Sequence, residues 1–163
     1  MYRVFKLDLS HGGLELVHAR YMHLMWNDIL KRKKMSKVYI FDLDNTLLLW
    51  KVDKYYKYEY EYELKKFLEN LKCKNHILAI ASHNMTPRYY LKNMDIFQLF
   101  DYIIGEYPRK KSDMIVEILE NVKGKKEDVI FFDDLNSNIE DCEKNRIISI
   151  KVDPMKGLDF ESI

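Results

Sequence analysis

The sequence predicts an α/β fold, a three-layer, doubly wound parallel sheet of the Rossmann type. Short apolar runs alternate along the chain with stretches whose apolar residues repeat at helical spacing, and several of the apolar runs end abruptly in polar side chains. Strands that alternate with helices are joined by crossover connections, which produce a parallel sheet covered on both faces. Ligands bind such sheets at the carboxyl ends of the strands, so we expect the functional residues at that edge.

The predicted strands are the apolar runs, and the predicted helices lie between them. Runs rich in Ile, Val and Phe indicate strands at residues 39–41, 77–81, 100–105, 129–132 and 147–152. Apolar residues at helical spacing, together with helix start signals, indicate helices at residues 64–71, 85–94, 112–122 and 139–145. Pro87 fits the second of these helices because proline is tolerated in the first turn.

The tyrosine-rich segment at residues 55–62 has a different pattern. Aromatic and charged residues alternate there, and a period of two residues indicates a strand or a hairpin. The tyrosines could form a β surface packed on the following helix, or they could contact a substrate. The first interpretation is favoured, because an amphipathic surface next to a helix is the commoner reason for such alternation.

Composition limits the classes of function. The chain has 163 residues with 27 Lys and Arg against 26 Asp and Glu, so its net charge of +1 provides no global basic field for nucleic acid. Cys73 and Cys142 lack metal-like spacing, and no stretch resembles a signal peptide or a membrane span. We therefore expect an intracellular, cytoplasmic protein with reduced thiols.

The domain prediction separates an amino-terminal extension of uncertain role, residues 1–36, from a domain at residues 37–163. The extension contains a candidate strand at residues 4–9 and a candidate helix at residues 14–30. Its three histidines, with no neighbouring carboxylate or cysteine pattern, are interpreted as incidental rather than as metal ligands. The basic run at residues 31–34 is interpreted as a solvated linker, with a nuclear address or an anion-binding patch as the alternatives.

Two aspartates, Asp42 and Asp44, follow the first apolar run at the point where the strand must end. Side chains at positions i and i+2 of an extended chain project to the same side, so both carboxylates can point beyond the sheet edge. Carboxylates so placed can hold a divalent cation and divide the roles of nucleophile and acid/base. For such a pair taken alone, a turn or a cap is the structural alternative.

Three further polar motifs follow the first one in order. They are Ser82, His83 and Asn84 after the second strand, Lys110 and Lys111 before a helix, and Asp133 and Asp134 after the fourth strand, with Asn138 four residues beyond. A single serine is commonly a helix cap, and a single lysine is commonly a solvated surface residue. Two adjacent acids at a buried strand end, however, need a cation or hydrogen-bond donors to offset their repulsion.

Taken together, the Asp-x-Asp-x-Thr-Leu arrangement and the three later motifs resemble those of the haloacid dehalogenase superfamily, over roughly residues 37–153. The segments at residues 81–83 and 131–141 are similar to those of the small magnesium-dependent phosphatases, which lack a cap domain. The resemblance implies a phosphatase that uses Mg²⁺ and passes through an aspartyl-phosphate. Neither gap between the first three motifs leaves room for a cap, so we expect an open site.

The resemblance implies a role for each acid of the motifs. Asp42 is expected to be the nucleophile, and Asp44 the general acid and base. Mg²⁺ is expected to be bound by Asp42, by Asp134 and by Asp44 through its backbone carbonyl. Asp133 and Asn138 are expected to act around them as an outer ligand and an orienting group.

The remaining motif residues are expected to bind the phosphoryl group of the substrate. The resemblance assigns phosphoryl binding to Ser82, His83, Asn84 and Lys111. It also assigns a catalytic role to Ser82 and Lys111. Lys110 is kept as the alternative to Lys111, because the two lysines are adjacent.

Three functions are compatible with these residues. The first is a Mg²⁺-dependent phosphomonoester phosphatase whose phosphorylated substrate could be macromolecular. The second is a nucleic-acid 3′-phosphatase, which an open site and the basic runs at residues 31–34 and 109–111 favour and the neutral net charge opposes. The third is a non-catalytic binding protein with the same fold. Oligomeric state and the identity of the substrate are left open.

Overall fold

The protein folds around a five-stranded parallel sheet, seen in a computed structural model that describes residues 36–162. The strands are β1 (Val38–Phe41), β2 (Ile77–Ser82), β3 (Tyr102–Gly105), β4 (Val129–Asp133) and β5 (Ile148–Lys151). Their order across the sheet is β3-β2-β1-β4-β5, and every neighbouring pair is parallel. The predicted fold class is confirmed.

In the described part of the chain, four α-helices cover the two faces of the sheet. They are α1 (Lys54–Cys73), α2 (Pro87–Asn93), α3 (Lys111–Val122) and α4 (Asn136–Lys144). Successive strand residues enter opposite cores: Phe41 packs with apolar residues of α1 and α2, whereas Ile40 packs with those of α3 and α4. This alternation makes the molecule three layers thick, as predicted.

The strand register brings the polar strand ends together. Phe41, the last residue of β1, lies between Ile80 of β2 and Phe132 of β4. The backbone N–H of Asp42 then donates to the carbonyl of Phe132 at 2.8 Å, so the first residue beyond β1 is still tied to β4. Because all strands are parallel, their carboxyl ends share one edge, and that edge carries the motif residues.

The prediction of a strand or hairpin at residues 55–62 was wrong, because these residues form the first turns of α1. The helix begins where the carboxylate of Asp53 accepts hydrogen bonds from the N–H groups of Tyr55 and Tyr56. Tyrosine is often exposed to solvent, so the alternation of tyrosines with charged residues in this segment did not mean that every second side chain is buried. Of the alternating tyrosines only Tyr60 is buried, at helical spacing from the buried Leu64.

Tyr60 joins two segments that are distant in sequence. Its hydroxyl donates to the carbonyl of Thr46, in the loop after β1, at 2.5 Å and accepts from the N–H of Leu158 at 3.1 Å. A Cβ added to Gly157 would lie 2.3 Å from the Tyr60 ring, and Gly157 has a φ of +77°, so glycine is required at this contact. We call this arrangement the Tyr60 latch.

Within residues 36–162 no cap domain is inserted between the strands that bear the motifs. The connection from β1 to β2 contains a loop and α1, and the connection from β2 to β3 contains α2 and the short 3₁₀ turn Phe97–Leu99. None of the helices in this range combines the length and the apolar composition needed to cross a bilayer. The strand, helix, histidines and basic run expected at residues 4–34 lie outside the described residues.

Candidate active site

A buried ion pair forms the centre of the site. The ammonium of Lys111, at the first residue of α3, donates to Oδ1 of Asp42 at 2.6 Å and to the carbonyl of Ala81 at 2.6 Å. It also lies 3.4 Å from Oδ2 of Asp133. Lys111 is only 1% exposed and Asp42 is buried, so little solvent screens the attraction between them.

The adjacent Lys110 has no part in this pair. It is exposed and precedes α3, whereas Lys111 points into the site. The structure therefore places Lys111, and not Lys110, next to Asp42.

Three carboxylates converge at the ends of β1 and β4. Oxygens of Asp42, Asp133 and Asp134 all lie within 4.8 Å of one another, and all three residues are buried. Asp133 accepts from the N–H of Leu135 at 2.8 Å, and both of its oxygens accept from the amide of Asn138, at 3.0 and 2.9 Å. These bonds orient Asp133 behind the other two acids.

Burial and the mutual repulsion of these acids both affect the pKa values of Asp133 and Asp134. Burial raises the pKa of Asp133 to about 6, with the neighbouring charge of Asp42 acting in the same direction and the Lys111 ammonium opposing it. Burial, again reinforced by Asp42, also raises the pKa of Asp134. Like charges held together out of water are stabilised by an added cation, so the cluster favours a cation beside it.

The donor set fits a hard divalent cation such as Mg²⁺. Carboxylate oxygens are the ligands that this ion prefers, and Asp42 and Asp134 supply them on the cavity side. Asn45, which follows Asp44, has a buried Oδ1 with no hydrogen-bond partner among the described residues. A buried acceptor without a donor is costly unless something binds it, so this oxygen is also available to an ion or its water.

Asp44 stands apart from these three acids, and its carboxylate is held by two side chains. The indole N–H of Trp50 donates to Oδ1 at 2.7 Å, and the amide of Asn84 donates to Oδ1 at 3.3 Å and to Oδ2 at 3.1 Å. Because its carboxylate is engaged there, the side chain of Asp44 is not part of the acid cluster. Trp50 was not among the predicted site residues.

The loop after β2 supplies further polar groups. Ser82 is buried, and its Oγ accepts from the N–H of Asn84 at 3.1 Å. The ring of His83 bonds through Nε2 to the carbonyl of Arg109 at 2.6 Å, which ties this loop to the one that precedes α3. A Cβ on Gly105 would lie 2.4 Å from the carbonyl oxygen of Asn84, so β3 can approach the loop only with glycine at that position.

Most of the predicted site residues line a cavity of about 150 Å³. Its walls include Asp42, Asp44, Ser82, His83, Lys111, Asp134 and Asn138, together with Asn45 and Leu135. Asn84 contacts this set through Asp44, and Asp133 lies behind it against Lys111. The structure thus brings all the sequence-predicted site residues to one edge of the sheet.

The edge of the sheet carries an acid pair after β1, a serine after β2, a lysine at the start of α3 and two acids after β4. This fold and this arrangement of residues define the haloacid dehalogenase-like hydrolases. A family model described as haloacid dehalogenase-like hydrolase matches residues 49–152, so the chain belongs to that family. The matched range includes Ser82, Lys111 and the acid pair after β4, whereas Asp42 and Asp44 precede it. The prediction of a hydrolase of this superfamily is confirmed.

Solved structures support the same fold. A haloacid dehalogenase-like family hydrolase from Streptococcus pneumoniae is 19% identical, with a TM-score of 0.58 over 77% of this chain and 89% of that one. The phosphatase-containing part of a Bacteroides fragilis protein, complexed with Mg, is 19% identical, with a TM-score of 0.63 over 78% of this chain and 39% of that one. A predicted phosphatase from Clostridium acetobutylicum is 17% identical, with a TM-score of 0.56 over 76% and 88%. No curated protein matches the sequence.

Proposed function

We propose that the protein is a Mg²⁺-dependent phosphomonoester phosphatase that forms an aspartyl-phosphate on Asp42. The observation that carries the proposal is the buried contact of Lys111 with Asp42, 2.6 Å long, beside the cluster of three acids. An ammonium in contact with Asp42, and a cation that the acid cluster would hold, suit the attack of an anion on a phosphate dianion, since both would reduce the charge repulsion. The family membership and the structural relatives named as phosphatases support the same conclusion.

Asp42, Asp134 and the backbone of Asp44 would hold the Mg²⁺, with Asp133 and Asn138 orienting the acids. The ion would supply positive charge to the phosphoryl oxygens and to the nucleophile. Lys111 provides a fixed positive charge in contact with Asp42. The hydroxyl of Ser82 and the loop that continues through His83 would bind the phosphoryl oxygens at the cavity wall.

In the first half-reaction a carboxylate oxygen of Asp42 forms a bond to phosphorus as the bond to the leaving oxygen breaks. Asp44 gives its proton to that oxygen, so the product leaves as an alcohol. In the second half-reaction water forms a bond to phosphorus, Asp44 takes a proton from the water, and the bond to Asp42 breaks. Inorganic phosphate is released, and both aspartates return to their initial states.

The alternatives gain no support from the described residues. The nucleic-acid interpretation relied in part on the basic run at residues 109–111, yet Arg109 forms ion pairs with Glu106 and Glu117, and Lys111 is buried against Asp42. Most of the positive charge of this run is thus neutralised locally. A non-catalytic binding protein of this fold would gain little stability from burying such a charged cluster, since the cost of desolvating buried charges can exceed their attraction.

The phosphatase proposal is tested by hydrolysis of p-nitrophenyl phosphate with Mg²⁺, with EDTA, and with Mg²⁺ restored after EDTA. We expect turnover only with the metal, and a loss of about 10³-fold or more in Asp42→Asn, because that variant lacks the nucleophile. Asp95→Asn is the matched control, because Asp95 is exposed and its carboxylate forms an ion pair with Lys65 at the surface.

The covalent intermediate is tested separately. Acid quenching during turnover should leave phosphoryl mass on the peptide that contains Asp42, and hydroxylamine should remove it. Folded, Mg²⁺-loaded wild-type protein with no turnover on any phosphomonoester would refute the proposal, whereas turnover without a labelled peptide would refute only the aspartyl-phosphate.

A further inference from the structure

Trp50 holds Asp44 in a way that the sequence motifs do not describe. The loop after β1 turns back on itself, with the N–H groups of Leu47 and Leu48 both donating to the carbonyl of Leu43, at 3.0 and 2.8 Å. This turn returns the chain to the cavity, where the indole N–H of Trp50 reaches Oδ1 of Asp44 at 2.7 Å. The contact is the shortest hydrogen bond that the Asp44 carboxylate makes to another side chain.

The indole itself is held from two directions. Its ring meets the ring of Tyr90 edge to face, with centroids 5.5 Å apart, and the ammonium of Lys57 lies 5.4 Å from its centroid. Trp50 is 49% exposed, so it is fixed by these contacts rather than by full burial. A half-exposed indole with its N–H directed at a site carboxylate is suited to positioning that carboxylate.

The second donor to Asp44 has a defined orientation as well. Oδ1 of Asn84 accepts from the backbone N–H of Thr86 at 2.9 Å, and a backbone N–H can only donate. The other end of the amide, Nδ2, must therefore face Asp44. Both partners of Asp44 are donors, and the indole N–H can never accept.

These donor identities distinguish the two oxygens of Asp44. Oδ1 receives the indole N–H and one contact from Asn84, so it must act as an acceptor. Oδ2 receives one side-chain bond, from the amide of Asn84 at 3.1 Å, so a proton added to Asp44 is accommodated there. The carboxylate lines the cavity in which the phosphoryl group is expected to bind.

We propose that Trp50 is a positioning residue for Asp44, and that its indole N–H makes Oδ2 the oxygen that exchanges the catalytic proton. This inference rests on the proposed phosphatase function and adds a residue to it. As the phosphorus–oxygen bond to the leaving group breaks, its electron pair stays on the leaving oxygen, which takes the proton from Oδ2. When water later attacks the aspartyl-phosphate, Oδ2 takes a proton from that water.

The test depends on the leaving group, because proton donation matters most for a basic one. The ester p-nitrophenyl phosphate releases a stable phenolate that needs little protonation, whereas glycerol 2-phosphate releases an alkoxide that must be protonated. The variants are Trp50→Phe, which removes the N–H but keeps an aromatic ring, and Trp50 replaced by 3-benzothienylalanine, which keeps the bicyclic shape and lacks only the N–H. Measuring kcat/KM for both esters isolates the half-reaction in which the leaving group departs.

We expect both variants to lose about 10²-fold in kcat/KM on glycerol 2-phosphate and far less on p-nitrophenyl phosphate, since misplaced acid catalysis has costs of this order. Asp44→Asn should show the same selectivity with a larger loss. Tyr89→Phe, an exposed neighbour of Tyr90, is the control and should match the wild type on both esters.

Equal losses on the two esters, or no loss in the benzothienyl variant, would overturn the role of Trp50 while leaving the phosphatase assignment intact. Absence of turnover in the wild-type protein on both esters would overturn the proposed function, and the role of Trp50 with it. The wild-type measurement therefore separates the two failures.

Discussion

Replacement of Lys111 by methionine tests whether the buried ion pair organises the site. Methionine has a similar length and no charge, so Lys111→Met removes bonds to Asp42 and Ala81 and the attraction to Asp133 while filling most of the same space. Two buried carboxylates are then left without their ammonium. Removing one partner of a buried ion pair typically destabilises a protein by about 3–5 kcal/mol. That is a large fraction of a usual domain stability of roughly 5–15 kcal/mol.

The expected activity loss follows from the same contact. Lys111 would stabilise charge at the reacting phosphate, and loss of one such preorganised group costs about 10²–10³-fold in rate. Lys110→Met is the matched control. Because Lys110 is exposed at the start of α3, its replacement should change the free energy of unfolding by no more than about 0.5 kcal/mol and leave turnover near the wild-type value.

The assays are urea unfolding followed by far-UV circular dichroism and p-nitrophenyl phosphate hydrolysis with Mg²⁺ at a temperature where each variant is folded. We also expect a coupling in a double-mutant cycle with Asp42→Asn. The sum of the stability losses of the two single variants should exceed the stability loss of the double variant by about 0.5–3 kcal/mol. Strictly additive losses would refute the ion-pair argument. Loss of activity in Lys110→Met with retention in Lys111→Met would refute the assignment of the lysine.

Further predictions concern stability and thiol chemistry. Tyr60→Phe should lower the free energy of unfolding by about 1–3 kcal/mol, measured by urea titration, because two backbone groups lose their buried partner, whereas exposed Tyr58→Phe should have almost no effect. A thiol reagent at pH 8 should label exposed Cys73 in the native protein and reach Cys142 only after unfolding, because Cys142 is buried and burial raises its pKa to about 12; native labelling of both thiols would contradict this. Burial, with the neighbouring lysine charges acting in the same direction, lowers the pKa of His76 in the folded protein. The stabilising contribution of neutral His76 is therefore complete above the unfolded pKa of about 6.5, and it is lost as the pH falls through the lower folded pKa. The melting temperature should therefore fall more steeply below pH 6.5 in the wild type than in His76→Asn. Parallel curves of melting temperature against pH for the two proteins would refute this role of His76.

The sheet and the motif positions were predictable from sequence because the physical signals are local. Each strand is an apolar run, and each motif lies where a run ends in polar residues, as at Ser82 and Asp133. A parallel sheet then brings all carboxyl ends to one edge, whatever the distances along the chain. The choice between Lys110 and Lys111 required the structure, because it depends on which of two adjacent side chains faces inward at the start of a helix.

Two features could not be read from the local pattern. The start of α1 was missed because tyrosine is compatible with a strand and with a helix surface, and the capping role of Asp53 was decided by the folded chain. The role of Trp50 was missed because it depends on the path of the loop after β1, which positions its N–H at Asp44. An aspartate six residues before a tryptophan has no periodicity that would indicate this contact.

The Tyr60 latch connects the loop after Asp42 and Asp44 with the segment beyond β5. One hydroxyl is shared by the carbonyl of Thr46, just after the two motif aspartates, and the N–H of Leu158, beyond the last strand. The amide hydrogen of Leu158 can exchange with solvent only when this bond opens. Its exchange rate, read by NMR, should therefore be sensitive to motions that displace Tyr60, which is bonded to the loop after Asp42 and Asp44, from a position that does not line the cavity containing these two acids.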